Sequence, residues 1–204
     1  MARKPFRIAV FASGNGSNFQ AIVDSAHSGE LDVRVELLVC DRPQAFVVER
    51  ATRVGVPVFA FCPRDYGSRE EYERVIVDKL RDMRIDLVVL AGYMRLITPV
   101  LINAYDGRII NIHPSLLPAF PGVDGIGDAF AYGVKVTGVT VHFVDHGMDT
   151  GPIIAQVPVP IRENDTKETL AERIHAEEHR LYPEVIRWIR EGRVKLMGRK
   201  VRID

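Results

Sequence analysis

Short apolar runs alternate with longer helical patterns throughout the first half of the chain, and this alternation leaves few possible folds. Four runs rich in Val, Ile, Leu and Phe have the length of strands: Phe6–Ala12, Val33–Cys40, Val58–Phe61 and Leu87–Leu90. Three helical patterns lie between them: Asn18–Ser28, Gln44–Val54 and Ser68–Met83. Continuous apolar strands separated by helices indicate parallel strands that are covered on both faces. We therefore predict an α/β fold with a doubly wound, mostly parallel sheet and helices on both of its faces.

The second half of the chain has a different pattern, which predicts an antiparallel C-terminal part. Its predicted elements are a strand, a short helix, two strands and a long helix: Arg108–His113, Ile126–Tyr132, Gly138–Val144, Ile153–Ile161 and Thr166–Glu191. A Pro-rich loop, His113–Val123, follows the first of these strands. The last segment, Arg193–Asp204, is predicted to be an exposed basic tail or an edge strand.

The organisation of the chain predicts one domain over residues 1–204, because no repeat, low-complexity tract or Gly/Ser linker interrupts it. We divide this domain into a nucleotide-binding-like half, about residues 1–105, a second half, about residues 106–192, and a tail, residues 193–204. No stretch reaches the roughly 20 apolar residues of a membrane span, and the start of the sequence lacks a cleavage-site pattern. A cytoplasmic protein with no membrane partner is therefore expected.

The charges of the chain balance, with 27 Lys and Arg residues against 27 Asp and Glu residues. Without a basic excess, a wide surface that releases counterions from a nucleic-acid backbone is excluded, and we predict no nucleic-acid partner. The balance leaves a local anion site open, because backbone amides at a helix N-terminus carry no formal charge.

A glycine-rich loop, Ser13–Asn18 with the sequence SGNGSN, joins the first predicted strand to the first helix. Its two glycines allow a tight turn that brings backbone amides toward an anion, and Ser17 adds a hydroxyl at the start of the helix. The loop lacks the lysine of a nucleoside-triphosphate loop, and Phe19 stands where GxGxxG has its last glycine. A single phosphate is the favoured ligand, and a tight turn without a ligand is the structural alternative.

Asn111 and His113 alternate on one predicted strand, so their side chains share a face near its carboxyl end. A histidine at this position is suited to general acid–base work, and a nearby amide can donate to a developing oxyanion. A buried pair that fixes the Pro-rich loop is the structural alternative. His142, in the middle of a predicted strand, is assigned a structural role.

Asp149 lies in a turn rich in Asp and Gly, residues 145–151, and turn formation alone explains most of this composition. The turn lacks the ligand spacing of a calcium loop, and we expect no metal. A carboxylate close to His113 would favour the protonated imidazole.

Four segments together resemble the formyltransferase family: Ser13–Asn18 (SGNGSN), Gly92–Ile97 (GYMRLI), Asn111–Pro118 (NIHPSLLP) and Gly138–Gly151 (GVTVHFVDHGMDTG). The similarity runs in order from about Arg7 to Trp188. It implies the formyltransferase fold, and transfer of a formyl group from the co-substrate 10-formyltetrahydrofolate to the amine of glycinamide ribonucleotide in purine biosynthesis. The implied partners are these small molecules, and the implied assembly is a monomer or a homodimer.

The resemblance also implies roles for individual residues. The implied catalytic residues are Asn111, His113 and Asp149. The residues implied to bind the phosphate and ribose of the ribotide are Gly16, Ser17, Asn18 and Glu178. The residues implied to bind folate are Arg69, Met94, Arg95, Leu96, Ile97 and Asn111. The resemblance also describes residues 106–192 as the catalytic and folate-binding half. For residues 94–97 the alternative is core packing, which Arg95 weakens because arginine is rarely buried without a partner.

The sequence departs from the family pattern at two positions and in one segment. His175 stands where some relatives have glutamine, and His146 stands where an acidic residue is common. Residues 123–128 lack a histidine-containing segment that many relatives have. These departures leave the implied catalytic residues unchanged.

The alternative activity within the family is hydrolysis of formyltetrahydrofolate. Such hydrolases usually carry an N-terminal regulatory domain, and a first strand at Phe6 is expected to leave no room for one. A tRNA-formylating relative would be longer and would end in a tRNA-binding domain. A non-catalytic nucleotide-binding module is the alternative from another class, and the intact set Asn111, His113 and Asp149 argues against it.

Overall fold

The computed structural model describes residues 4–204, so the first three residues of the basic start of the sequence lie outside the described residues. The strands of the described part are β1 (Arg7–Phe11), β2 (Arg34–Cys40), β3 (Val58–Ala60), β4 (Leu87–Leu90), β5 (Ile109–His113), β6 (Val136–Phe143), β7 (Ile153–Pro160), β8 (Val194–Met197) and β9 (Lys200–Ile203). Its α-helices are α1 (Ser17–His27), α2 (Phe46–Arg53), α3 (Arg69–Asp82), α4 (Pro99–Ala104), α5 (Gly125–Tyr132) and α6 (Lys167–Arg190). A short 3-10 helix, Pro63–Asp65, lies between β3 and α3.

Seven strands form one sheet in the order β3-β2-β1-β4-β5-β6-β7. Strand β1 pairs in parallel with β2 and with β4, and β2 pairs in parallel with β3, whereas β6 and β7 are antiparallel. Strands β8 and β9 form a separate antiparallel hairpin. The predicted α/β fold, with a mostly parallel sheet and an antiparallel C-terminal part, is confirmed.

Two compact units make up the chain, the first ending at Ile110 and the second running from Asn111 to Asp204. This division lies close to the boundary expected near residue 105, and the single domain expected from the sequence stays a prediction. None of the helices within residues 4–204 is both long enough and apolar enough to cross a membrane.

The core of the first unit is built around β1. Residues Ile8–Phe11 are all 0% exposed, and both faces of the strand are covered because successive side chains point to opposite faces. The chain adds β2 and β3 on one side of β1 and then returns to add β4 on the other. Ligands of open parallel sheets bind beyond the carboxyl ends of the strands at such a reversal. The loops after β1, β2 and β4 are therefore the candidate binding segments of this unit.

Helix α6 gives the second unit its longest apolar face. Thr166 caps the helix, because its hydroxyl accepts a hydrogen bond from the amide of Thr169 and the hydroxyl of Thr169 accepts one from the amide of Thr166. Buried residues recur at helical spacing along the face that packs against β6 and β7: Leu170, Ile174, Glu178, Leu181 and Val185. Glu178 is therefore a buried carboxylate on an otherwise apolar face.

Two elements differ from the expectations. Helix α4 was not predicted, and its start depends on a distant residue, since buried Glu73 accepts hydrogen bonds from the amides of Thr98 and Leu101. The C-terminal segment is neither a free tail nor an edge strand of the main sheet. It folds back on itself at Gly198, where φ is 61°, and forms the hairpin β8–β9.

Candidate active site

The predicted phosphate loop follows β1 and ends where α1 begins. Gly16 has a left-handed backbone with φ of 78°, and a Cβ placed on it would lie 2.4 Å from Cγ2 of Val47. Only glycine fits this position, because both the conformation and the close approach of α2 exclude a side chain. The first amides of α1 have no acceptor within the helix, and no side chain caps them at Gly16. Together with the positive end of the helix dipole, they can hold an anion.

Helix α2 fixes the shape of this loop. The amide of Val47 donates to the carbonyl of Gly14 at 3.1 Å. Arg50 donates from Nε to the carbonyl of Asn15 at 2.8 Å and from Nη2 to the side-chain oxygen of Asn15 at 3.0 Å. Arg50 was not among the predicted site residues, because a single arginine on an amphipathic helix carries no local signal. Its guanidinium adds positive charge beside the predicted phosphate loop.

The predicted folate segment follows β4. Met94 is 53% exposed and Leu96 is 55% exposed, so these side chains do not pack in the core of the first unit. Arg95 forms an ion pair with the buried carboxylate of Asp41, with 2.8 Å between Nε and Oδ2. Arg69, the remaining arginine implied to bind folate, is exposed at the first residue of α3.

The loops after β1 and β4 are joined by hydrogen bonds. The amide of Ser13 donates to the carbonyl of Gly92 at 3.0 Å, and the amide of Met94 donates to Oγ of Ser13 at 2.8 Å. The first unit thus brings the predicted phosphate loop and the predicted folate segment together at the reversal of strand order.

The three residues implied to be catalytic lie together in the second unit. Asn111 and His113 are on β5, and Asp149 is in the turn after β6. His113 is buried, and its Nδ1 lies 3.6 Å from Oδ2 of Asp149. Its Nε2 lies 2.7 Å from the carbonyl oxygen of Phe120, to which it donates a hydrogen bond. Both ring nitrogens therefore face acceptors, an arrangement that accommodates a hydrogen on each.

Asp149 is held as a carboxylate. Its Oδ2 accepts a hydrogen bond of 2.8 Å from the amide of Gly122, and its backbone has a left-handed φ of 54°. Burial raises the pKa of Asp149, but three interactions outweigh burial, so the pKa is lowered overall. They are the contact with the side chain of His142, the hydrogen bond from the amide of Gly122 and the electrostatic interaction with His113. A residue with strained backbone and a stabilised negative charge is typical of a functional site.

His142 belongs to this cluster, although it was assigned a structural role. Its Nδ1 donates to the carbonyl of Phe143 at 2.7 Å, so Nε2 of the neutral ring is an acceptor. The amide nitrogen of Asn111 lies 3.3 Å from this Nε2, and Oδ1 of Asp149 lies 3.7 Å from it. His142 therefore orients the amide of Asn111 and lies beside the carboxylate of Asp149. Its position on β6 gave no signal, because the pairing of distant strands is not readable from local sequence.

The remaining predicted ribotide residue, Glu178, points into the interior of the second unit from α6. His175 lies one turn earlier on the same helix, and its Nδ1 is 2.7 Å from Oε2 of Glu178. This hydrogen bond raises the pKa of His175, although partial burial works against it. His175 thus places an ionisable imidazole beside the carboxylate of Glu178.

Local hydrogen bonds hold the acidic turn, residues 145–151. Oδ1 of Asp145 accepts hydrogen bonds from the amide of Gly147 at 3.0 Å and from the hydroxyl of Thr150 at 2.6 Å. Such local bonds are those of an ordinary Asx turn. Within residues 4–204, no group of three or more His, Cys, Asp or Glu side chains is arranged to hold a metal ion.

Comparison with known proteins identifies the family of the chain. Residues 6–186 match the family model described as Formyl transferase. The chain belongs to the formyl transferase family, so the resemblance seen in the sequence and the prediction of a formyl-transferring enzyme are confirmed.

The relatives at high identity carry a more specific name. The chain is 57% identical to phosphoribosylglycinamide formyltransferase of Bacillus subtilis (strain 168), over 89% of this chain and 93% of that protein. It is 44% identical to the enzyme of the same name from Mycobacterium tuberculosis (strain ATCC 25618 / H37Rv), over 98% of this chain and 94% of that protein. The crystal structure of glycinamide ribonucleotide transformylase 1 from Symbiobacterium toebii has a TM-score of 0.95 at 49% identity, covering 98% of this chain and 94% of that one. These relatives are named as transferases, which does not favour the hydrolase alternative.

Proposed function

We propose that this chain transfers the formyl group of 10-formyltetrahydrofolate to the amine of N1-(5-phospho-D-ribosyl)glycinamide. The products are the N2-formyl ribotide and tetrahydrofolate, and the step belongs to de novo purine biosynthesis. The names of the relatives support formyl transfer to this ribotide, and membership of the formyl transferase family supports a formyl donor such as formyltetrahydrofolate. The observation that carries the proposal is the buried pairing of His113 with Asp149, next to Asn111 on the same strand.

The reaction begins when the free amine of the ribotide attacks the formyl carbon and produces a tetrahedral intermediate with a negative oxygen. Asn111 donates a hydrogen bond to this oxygen, and protonated His113 supplies positive charge beside it. Asp149 pairs with His113 at 3.6 Å and remains ionised itself, in agreement with its lowered pKa. The proton that the amine loses is relayed through this pair.

The departing folate nitrogen receives a proton from Nε2 of His113 or from water. Nε2 donates to the carbonyl of Phe120, so donation to substrate requires that it exchange this partner. Direct transfer is favoured over a formyl-enzyme. Ser115, the hydroxyl nearest to His113 in the sequence, donates its hydrogen to the carbonyl of Ala119 at 2.6 Å and is not activated as a nucleophile.

The binding roles proposed for the first unit follow from its loops. Gly16, Ser17 and Asn18 bind the ribotide phosphate, because the start of α1 offers backbone amides and the positive end of the helix dipole. Arg69 and residues 94–97 bind the folate, with Met94 and Leu96 supplying exposed apolar surface.

The binding roles proposed for the second unit use fewer residues. Glu178 binds hydroxyl groups of the ribotide as a buried acceptor. Asn111 contacts the folate as well as the oxyanion. We propose no metal, nucleic-acid or membrane partner, a cytoplasmic location, and a monomer or homodimer as the working form.

A steady-state assay in which the ribotide amine is present or omitted tests this proposal. Tetrahydrofolate should form only when the amine is present, and formylated ribotide should appear in equal amount. Formate released at a comparable rate without the amine would identify the hydrolase instead. Turnover of neither substrate pair would contradict both activities.

A further inference from the structure

A buried aspartate at the end of β2 connects the two binding loops of the first unit. Asp41 follows Cys40, the last residue of β2, and its side chain is 0% exposed. Its Oδ1 accepts a hydrogen bond of 2.5 Å from the hydroxyl of Ser13, and its Oδ2 accepts one of 2.8 Å from Nε of Arg95. One side chain therefore contacts the first residue of the phosphate loop and an arginine of the folate segment.

The hydroxyl of Ser13 completes this connection and fixes its direction. A serine hydroxyl has one hydrogen to donate, and here it goes to Asp41. The same oxygen accepts the hydrogen bond of the Met94 amide at 2.8 Å. A continuous chain of hydrogen bonds therefore runs from the backbone of residue 94 through Ser13 to Asp41 and back to Arg95, and such chains strengthen each member.

The burial of Asp41 makes this network hard to replace. A carboxylate removed from water is costly unless both oxygens find donors, and each oxygen of Asp41 has one. Movement of either loop would leave the charge incompletely paired. The side chain of Arg95 is 41% exposed, so the same guanidinium borders both the buried carboxylate and the predicted folate surface.

We propose that Asp41 is a positioning residue that couples the ribotide-phosphate loop to the folate segment, so that binding of one substrate strengthens binding of the other. Asp41 acts through Ser13 on one side and through Arg95 and Met94 on the other. This inference rests on the binding roles proposed above for residues 16–18 and 94–97. Because binding coupling is reciprocal, the folate ligand must improve ribotide affinity by the same factor as the ribotide improves folate affinity.

Calorimetric titration tests this coupling in an unreactive ternary complex. The dissociation constant of the ribotide substrate is measured in the absence and in the presence of saturating tetrahydrofolate, and the ratio of the two values is the coupling factor. We expect a factor between about 5 and 150 for the unaltered chain. Asp41→Asn, which keeps the shape but removes the charge, and Ser13→Ala, which breaks the chain of hydrogen bonds, should each bring the factor close to one.

The matched control is Asp86→Asn. Asp86 also accepts a hydrogen bond from β1, at 2.9 Å from the amide of Arg7, but it lies at the opposite end of that strand. Its replacement should leave the coupling factor unchanged. A variant that merely loosened the fold would lower the melting temperature without this selective loss of coupling, and Ser13→Ala provides the decisive result if Asp41→Asn does not fold.

One set of results would overturn the positioning role of Asp41, and a different result would overturn the proposed function. If the unaltered chain transfers formyl groups and binds both ligands but shows a coupling factor of one, the positioning role of Asp41 is wrong while the proposed function stands. If the coupling factor is unchanged in both Asp41→Asn and Ser13→Ala, that role is also wrong. If the unaltered chain binds neither ligand, the proposed function itself fails.

Discussion

Asn111 and His142 lie on the adjacent strands β5 and β6, and the amide nitrogen of Asn111 is 3.3 Å from Nε2 of His142. The hydrogen bond from His142 to the carbonyl of Phe143 leaves Nε2 as an acceptor, so the amide group of Asn111 has a defined orientation. A residue on the neighbouring strand thereby orients the amide of Asn111, which we propose donates a hydrogen bond to the oxyanion. The proposed chemistry thus depends on a residue outside the three that the family resemblance implies.

A double-mutant cycle tests this relationship. Asn111→Ala should lower kcat by about 10²–10³-fold, because one oxyanion donor is lost. His142→Phe, which keeps a ring but removes the acceptor, should lower kcat by up to about 10²-fold by misplacing Asn111. The double variant should be little slower than Asn111→Ala, since the two residues act as one unit.

The control for this cycle is His146→Gln, at an exposed histidine in the following turn, which should retain full activity. Multiplicative effects of Asn111→Ala and His142→Phe would mean that His142 acts independently of Asn111.

Replacement of Asp149 by asparagine should change both the activity and the acid sensitivity of the fold. Activity should fall, because His113 loses the carboxylate with which it pairs. The lowered pKa of Asp149 means that the unfolded chain binds more protons than the folded one. Its contribution to stability is therefore present above the ordinary value of 3.8 and is lost as the pH falls through the lowered value.

Urea unfolding between pH 3 and pH 6 should accordingly show a smaller acid loss of stability for Asp149→Asn than for the unaltered chain. If the unfolding free energies of the two proteins fell equally with decreasing pH, Asp149 would not be held as a stabilised carboxylate in the fold.

His175 should make a contribution to stability with the opposite pH dependence. Its pKa is raised above the model-compound value of 6.5 by the hydrogen bond to Glu178. The contribution is therefore complete below that value and is lost as the pH rises through the raised value. The difference in unfolding free energy between the unaltered chain and His175→Gln should be larger at pH 5.5 than at pH 8.5. A difference that grows toward alkaline pH would mean that the charged pair with Glu178 does not form.

Gly16 offers a direct test of the phosphate loop. Gly16→Ala should destabilise the fold by about 1–3 kcal/mol, because it forces a side chain into a left-handed conformation and against Val47. Affinity for inorganic phosphate and for the ribotide should fall as the loop is displaced. Gly14→Ala is the matched control in the same loop, since a Cβ there would meet nothing within 4 Å. Equal effects of the two substitutions on phosphate affinity would argue against a specific role for Gly16.

Local periodicity was sufficient to predict most of the fold. The strands β1 to β7 and the helix α6 lie within about two residues of their predicted bounds, because continuous apolar runs and capping residues are local signals. Helix α4 escaped prediction because its six residues carry too little periodicity and its start is held by Glu73, 25 residues earlier. The hairpin β8–β9 was not predicted, because its charged residues do not alternate with buried apolar residues.

Part of the candidate site could be predicted from local motifs, and the rest depends on contacts between residues that are distant in the sequence. The motif segments allowed Asn111, His113 and Asp149 to be named, and the fold brings His113 and Asp149 together. His142 and Asp41 could not be found, because their roles depend on partners 31 and 54 residues away, respectively. An isolated histidine or aspartate beside an apolar strand has no local pattern that distinguishes a functional residue from a structural one.

The most direct test of the proposed mechanism is His113→Ala, with turnover and ribotide binding measured on the same preparation. Loss of the imidazole should reduce kcat by at least about 10²-fold, since the charge beside the oxyanion and the proton donor are both removed. The dissociation constant of the ribotide should stay close to that of the unaltered chain, because the residues proposed to bind its phosphate lie on α1 and the loop before it. Turnover retained by His113→Ala would contradict the mechanism.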